Sequence, residues 1–85
     1  MQNDSFPVFL GHRIDPARNM ARFYLIAIET NLFGETCLRR TWGRIGTRGR
    51  IAEEIFADAA SAEQAMAALA RRKQQRGYRV AGEGL

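Results

Sequence analysis

The chain has one cysteine, one histidine, one tryptophan and two prolines, and no long apolar run. Each shortage closes off a class of protein. Lone Cys37 has no internal disulfide partner, which agrees with a reducing, cytoplasmic setting better than with secretion. With only His12 to join it, no His/Cys metal cluster forms within one chain, and carboxylates alone are left as ligands; no metal and no cofactor are expected. His12 falls in an expected edge strand, where a solvated or half-buried role outweighs a catalytic one. Glu53 and Glu54 are adjacent, so a strand turns them to opposite faces and denies them a shared acid/base site. The chain therefore reads as non-enzymatic. Its longest apolar run, Phe23 to Ile28, is six residues, far below the roughly 18 that indicate a membrane-spanning helix. The first twenty residues carry Asp4 and Asp15 without an apolar core, unlike a secretory leader. No membrane partner is expected.

What is present describes a small globular domain. Apolar residues make up 46% and charged residues 26% of 85 positions, and a chain of this size buries roughly 60 to 65% of its extended surface. The whole of 1–85 is expected to be one domain, with a core over about 15–80 and a loose tail at 81–85. The net charge of +4 is unevenly spread. Residues 1–34 are neutral, 35–50 carry +4, 51–70 carry −4 and 71–85 carry +4. Two basic blocks around an acidic one produce a polarised surface if folding joins the basic pair; otherwise the blocks neutralise one another as solvated charge. Twelve of the thirteen basic residues are arginine, which favours phosphate recognition, although genome base composition yields the same bias.

Periodicity predicts strands first and one helix last. Phe6 to Ile14 reads as an edge strand, because Pro7 has no N–H for a ladder. Asp15 to Asn19 has turn chemistry around Pro16. Arg22 to Thr30 alternates with Tyr24, Ile26 and Ile28 on one face, and the apolar Phe23, Leu25 and Ala27 on the other predict that it is covered too. Asn31 to Gly34 is a hairpin connection. Glu35 to Ile45 returns, placing Leu38, Arg40, Trp42 and Arg44 on one side and Cys37, Arg39, Thr41 and Ile45 on the other. A glycine-bearing turn at 46–49 leads to a strand from Arg50 to Phe56. Ser61-Ala62-Glu63-Gln64 fits a capping box, and the alanine-rich stretch after it is helical, with cations in its last turns and Gly77 at the left-handed C′ position. Tyr78 and Val80 return as a short extended segment. The fold class is α+β: an antiparallel sheet of about four strands with one C-terminal helix on a face.

The chemistry concentrates in residues 39–50, which hold the tryptophan, five arginines and three glycines and no acid. Guanidinium forks match phosphate oxygens, an indole offers a flat face to a sugar or base, and glycine admits a ligand close to the backbone. Each has a plainer reading. The two Gly-x-x-Gly steps join strands, not the helices that such a loop joins in KH modules, so they equally serve turn dihedrals. A lone tryptophan in a small domain anchors a core or forms a stacking platform; Arg40 and Arg44 beside Trp42 do not suit a dry core. Arg39 and Arg48 read equally well as solvated charges.

Phe23-Tyr24, the run Leu38-x-Arg40-x-Trp42-Gly43-Arg44-Ile45-Gly46-Thr47, Gly49-Arg50 and the helix-ending Gly77-Tyr78 together resemble a WGR domain, named for its Trp-Gly-Arg triplet. WGR domains occur in DNA-dependent poly(ADP-ribose) polymerases, in bacterial regulator-like proteins and as short free-standing bacterial proteins, and this chain resembles the last. The resemblance implies a small antiparallel sheet with a helix. In the polymerases the module binds DNA near a strand break, its tryptophan packing on a terminal sugar. By position, the resemblance makes Trp42 the stacking residue and Arg44 a contact or relay arginine, and it aligns Arg40 with a position that is also basic in relatives. The 85 residues hold no catalytic or zinc-finger segment, so a signalling role does not transfer.

The expected function is nucleic-acid binding, DNA more than RNA, at strand ends or breaks. The expected site is Arg39, Arg40, Trp42, Gly43, Arg44, Arg48 and Arg50. The alternative is a protein-interaction or self-association module using the same Trp/Arg face, as a monomer or weak homo-oligomer, with Leu32 and Phe33 at the hairpin tip.

Overall fold

The computed structural model describes residues 8–81. Five strands and one α-helix follow in the order β1 (Val8–Asp15), a 3-10 turn (Pro16–Arg18), β2 (Met20–Thr30), β3 (Thr36–Arg44), β4 (Arg50–Phe56), α1 (Ala59–Gln75) and β5 (Arg79–Val80). All pairings are antiparallel, in the sheet order β4-β3-β2-β1-β5. The α+β class holds, with five strands where about four were expected. The fifth is the short segment after Tyr78, paired with β1 only at Gly11 and His12. β1 is consequently not the sheet edge; the portion of that expectation resting on Phe6 and Pro7 lies outside the described residues. No helix is long and apolar enough to cross a membrane among the described residues.

Alternation along β2 selects the core. Tyr24, Ile26 and Ile28 are buried together with Phe9, Leu38 and Tyr78, and Ala65, Met66 and Leu69 of α1 pack onto this face. Ile26 is fully enclosed, which contributes roughly 1.5–3 kcal/mol. The opposite face departs from expectation. Phe23, Leu25 and Ala27 are only half-buried, and Val8, Leu10, Ile14, Ile51 and Ile55 beside them are exposed, because α1, the one layer available among the described residues, lies across the other side.

Both ends of α1 are set by local chemistry. Its N-cap is Asp58, whose side chain accepts from the Ser61 N–H at 2.8 Å, not Ser61 as expected. A carboxylate in extended backbone three residues earlier captures the Ser61 N–H itself, and Ala59 and Ala60 extend the helix backwards at little cost. At the other end Gly77 has φ +104°, a left-handed conformation that only glycine adopts readily. The Gly77 N–H donates to the Gln74 carbonyl and the Tyr78 N–H to the Lys73 carbonyl, both at 3.0 Å. This Schellman reversal drives Tyr78 into the core. Ala81, assigned to the loose tail, donates its N–H to the Leu10 carbonyl at 2.9 Å; residues 82–85 lie outside the described residues.

Candidate nucleic-acid interface

Strand register brings Trp42 opposite Tyr24, with Arg44 opposite Arg22 and Arg40 opposite Ile26. The indole stacks on the Tyr24 ring at 5.9 Å between centroids and 20° between planes, and Tyr78 meets Tyr24 edge-on at 6.1 Å. Three aromatics from β2, β3 and the helix exit thus form a continuous cluster, in which Tyr24 and Tyr78 are buried and Trp42 is the more open ring. Trp42 packs against the core yet stays half-buried.

Cations converge on that surface. The Arg40 guanidinium lies 5.7 Å from the Trp42 ring centroid and donates weakly to the Tyr24 hydroxyl at 3.4 Å. Lys73 Nζ, one helical turn before the cap, stands 4.3 Å from the Tyr24 centroid. Arg13, Arg22 and Arg76 complete the wall of a cleft of about 360 Å³ floored by Tyr24, Trp42 and Tyr78. Burial first, then the neighbouring Arg76, Arg40 and Arg72, push the Lys73 ammonium below its ordinary pKa. None of the five cleft cations has an acidic partner among the described residues, whose ion pairs involve only Arg18 and Arg39. Uncompensated positive charge over aromatic rings is suited to an anion carrying a flat or sugar-like group.

The sequence-expected residues divide. Arg40 and Trp42 line the cleft. Arg44 shares their face as the cross-strand neighbour of Arg22, its guanidinium donating to the Asn19 carbonyl at 3.1 Å and to Asn19 Oδ1 at 3.4 Å. Arg50 lies opposite Trp42 in β4, and Arg48 is in the exposed turn before it. Gly43 has a steric task, since a Cβ there would stand 2.7 Å from the Gly49 Cα, so its lack of a side chain lets the turn fold back over β3.

Arg39 is not brought into this group. It lies on the other sheet face, with Nε 2.8 Å from Glu53 and Nη1 3.7 Å from Glu29. The Glu53 hydrogen bond, then the charge of Glu29, raise its pKa further. Six cleft residues lie outside the expected set: Arg13, Arg22, Tyr24, Lys73, Arg76 and Tyr78. Lys73, Arg76 and Tyr78 belong to the second basic block, which the fold does join to the first, whereas Arg13, Arg22 and Tyr24 come from the charge-neutral stretch 1–34.

A small antiparallel sheet crossed by one helix, with a Trp-Gly-Arg strand opening onto a basic cleft, is the architecture of a WGR-type domain. The chain belongs to the WGR domain family, which matches residues 9–84. It is also 51% identical over 67 residues, 79% of the chain, to the uncharacterized protein y4dW of Sinorhizobium fredii (strain NBRC 101917 / NGR234). That match covers 33% of y4dW, so the chain spans about a third of the length of this curated relative. No solved structure matches.

Proposed function

We propose that this chain is a non-catalytic nucleic-acid-binding domain that prefers DNA to RNA and strand ends to continuous duplex, acting in the cytoplasm. The WGR domain is known as a nucleic-acid-binding module in poly(ADP-ribose) polymerases. The single observation that supports the reading here is the set of five cations around Tyr24, Trp42 and Tyr78 that have no acidic partner among the described residues. In this reading the exposed face of Trp42 packs on a terminal sugar or base, Arg40 and Arg44 hold the adjoining phosphates, and Arg48 and Arg50 extend the contact along the backbone. About four neutralised phosphates give a log–log salt slope of about −3 to −4. The test compares blunt, nicked and single-stranded oligonucleotides, as DNA and as RNA, at two salt concentrations. Binding no tighter than about 1 mM at low salt, where even non-specific binding is ordinarily stronger, defeats the proposal.

A second reading, a protein contact, is supported by the hairpin tip. Leu32 is 100% and Phe33 86% exposed, in a loop where Asn31 Oδ1 accepts from the Phe33 and Glu35 N–H groups, each at 2.9 Å. Two large apolar side chains displayed on an ordered turn have the composition of an interface anchor. Concentration-dependent mass in sedimentation, without nucleic acid and insensitive to salt, distinguishes self-association from the first reading.

A further inference from the structure

Resting on the reading that the Trp42 face receives phosphate, we infer that the cleft is a pocket for a nucleoside polyphosphate, an ATP-like ligand held as a free molecule. Its shape is the first argument. A polymer backbone is tracked by cations on an open surface, whereas here β1, β2, β3 and α1 each send a cation around one concavity of about 360 Å³. That volume falls within the range of about 300–1,000 Å³ that small ligands occupy.

Charge is the second argument. A terminal phosphomonoester brings about two negative charges and each further phosphoryl group about one more, so a triphosphate carries about four. One backbone phosphate would leave most of Arg13, Arg22, Arg40, Lys73 and Arg76 uncompensated, whereas a triphosphate nearly balances them. Lys73 gives the local evidence of this imbalance: it is half-buried over the Tyr24 ring, and Arg76, Arg40 and Arg72 act on it with no offsetting acid among the described residues. The third argument is the aromatic surface. Trp42 is half-buried, with Tyr24 stacked against it and the Arg40 guanidinium 5.7 Å from its ring centroid, and the part of the ring left open suits the nucleoside end of such a ligand.

Trp42 is the only tryptophan, so its fluorescence reports the pocket directly. The full chain is titrated at low salt, without divalent metal, with ATP, AMP and inorganic triphosphate, and in parallel with a blunt duplex bearing 5′-hydroxyl ends. ATP is expected to bind at least about tenfold tighter than AMP and than inorganic triphosphate, the scale of added charge-assisted contacts and stacking. Lys73→Gln and Arg76→Gln should each weaken ATP by about fivefold or more. Arg71→Gln removes the same charge from an exposed helical position outside the cleft and should leave ATP binding unchanged. Thermal melts of each variant verify folding. ATP no tighter than AMP, inorganic triphosphate equal to ATP, or Arg71→Gln as damaging as Arg76→Gln would overturn the inference. Duplex binding without ATP binding overturns it and leaves the proposed function standing; failure of both ligands overturns both. ATP binding without duplex binding supports the pocket and defeats the polymer reading.

Discussion

Lys73 Nζ stands 4.3 Å from the centre of the Tyr24 ring, joining the last turn of α1 to the middle of the sheet. This contact is a cation held over an aromatic face, and it carries the second basic block of the chain to the first. It also has a pH signature. Because the folded-state pKa of Lys73 lies below its ordinary 10.5, the charged form opposes folding at neutral pH. That cost is fully present below the folded pKa and is relieved as pH rises from there to 10.5. Stability should therefore gain a rising contribution in this alkaline window, and Lys73→Met should remove it while raising stability at pH 7. A polyanion in the cleft favours the charged lysine, so affinity should fall as pH climbs through the same window. Denaturation midpoints and binding titrations from pH 7 to 10.5 test both signs.

Trp42 and its arginine neighbours separate stacking from charge. Trp42→Ala should weaken binding of a nucleic-acid end by about 1–3 kcal/mol with little change in salt slope. Arg40→Gln should instead flatten that slope by about 0.9. Anisotropy titrations across a salt series read both quantities at once.

Arg39 gives the matched control. It sits one residue from Arg40 on the other sheet face, engaged by Glu53 and Glu29. Arg39→Gln should leave the salt slope of nucleic-acid binding unaltered and cost about 0.5 kcal/mol of stability or less, since the pair is well exposed and solvent screens it. A loss of slope equal to that of Arg40→Gln would place the binding surface elsewhere.

Gly77 couples the fold to the cleft. Gly77→Ala forces a Cβ onto a residue at φ +104° and should destabilise by about 1–2 kcal/mol. It should also weaken anion binding beyond what unfolding explains, because the Tyr78 N–H and Lys73 carbonyl are joined through that reversal. Chemical denaturation and binding at a temperature where the variant stays folded distinguish the two effects.

Asp58 fixes the other helix end. The Ser61 backbone N–H, the larger cause, holds its carboxyl below the ordinary 3.8. Its contribution is therefore present above that value and is lost as pH falls through the depressed one. Asp58→Ala should lower the melting temperature at pH 6 and reduce the acid sensitivity of helicity, whereas Asp58→Asn should retain the cap with the sensitivity gone. Circular dichroism between pH 6 and 2 measures this.

Much of the architecture is legible in the residues because alternation is a local property. The period of two along Thr36–Arg44 separates Arg40 and Trp42 from Arg39 without knowledge of the fold, and the structure agrees. Gly77 announces the helix end in the same way. The N-cap was misread because Asp58 and Ser61 both suit that position, and the choice depends on which backbone turns extended first. The cleft was only half legible for a different reason. Arg13, Arg22 and Lys73 are separated by up to sixty positions, and no spacing rule relates them; the charge blocks showed that two basic regions existed, while β-sheet register determined which side chains met. The uncovered face of Phe23 and Leu25 was misjudged because an apolar strand pattern records tolerance of burial, not the presence of a second layer.

The β2–β3 hairpin has a consequence for how the molecule combines contacts. Arg22 and Arg44 mark one end, while Glu29, Glu35 and the bare Leu32–Phe33 tip mark the other. The extended chain from Arg22 to Thr30 holds the arginine end and the tip about 26 Å apart, beyond the roughly 8 Å over which charges feel one another at physiological salt. The two ends are thus independent handles on one rigid ribbon, and the free-energy effects of changing both should simply add.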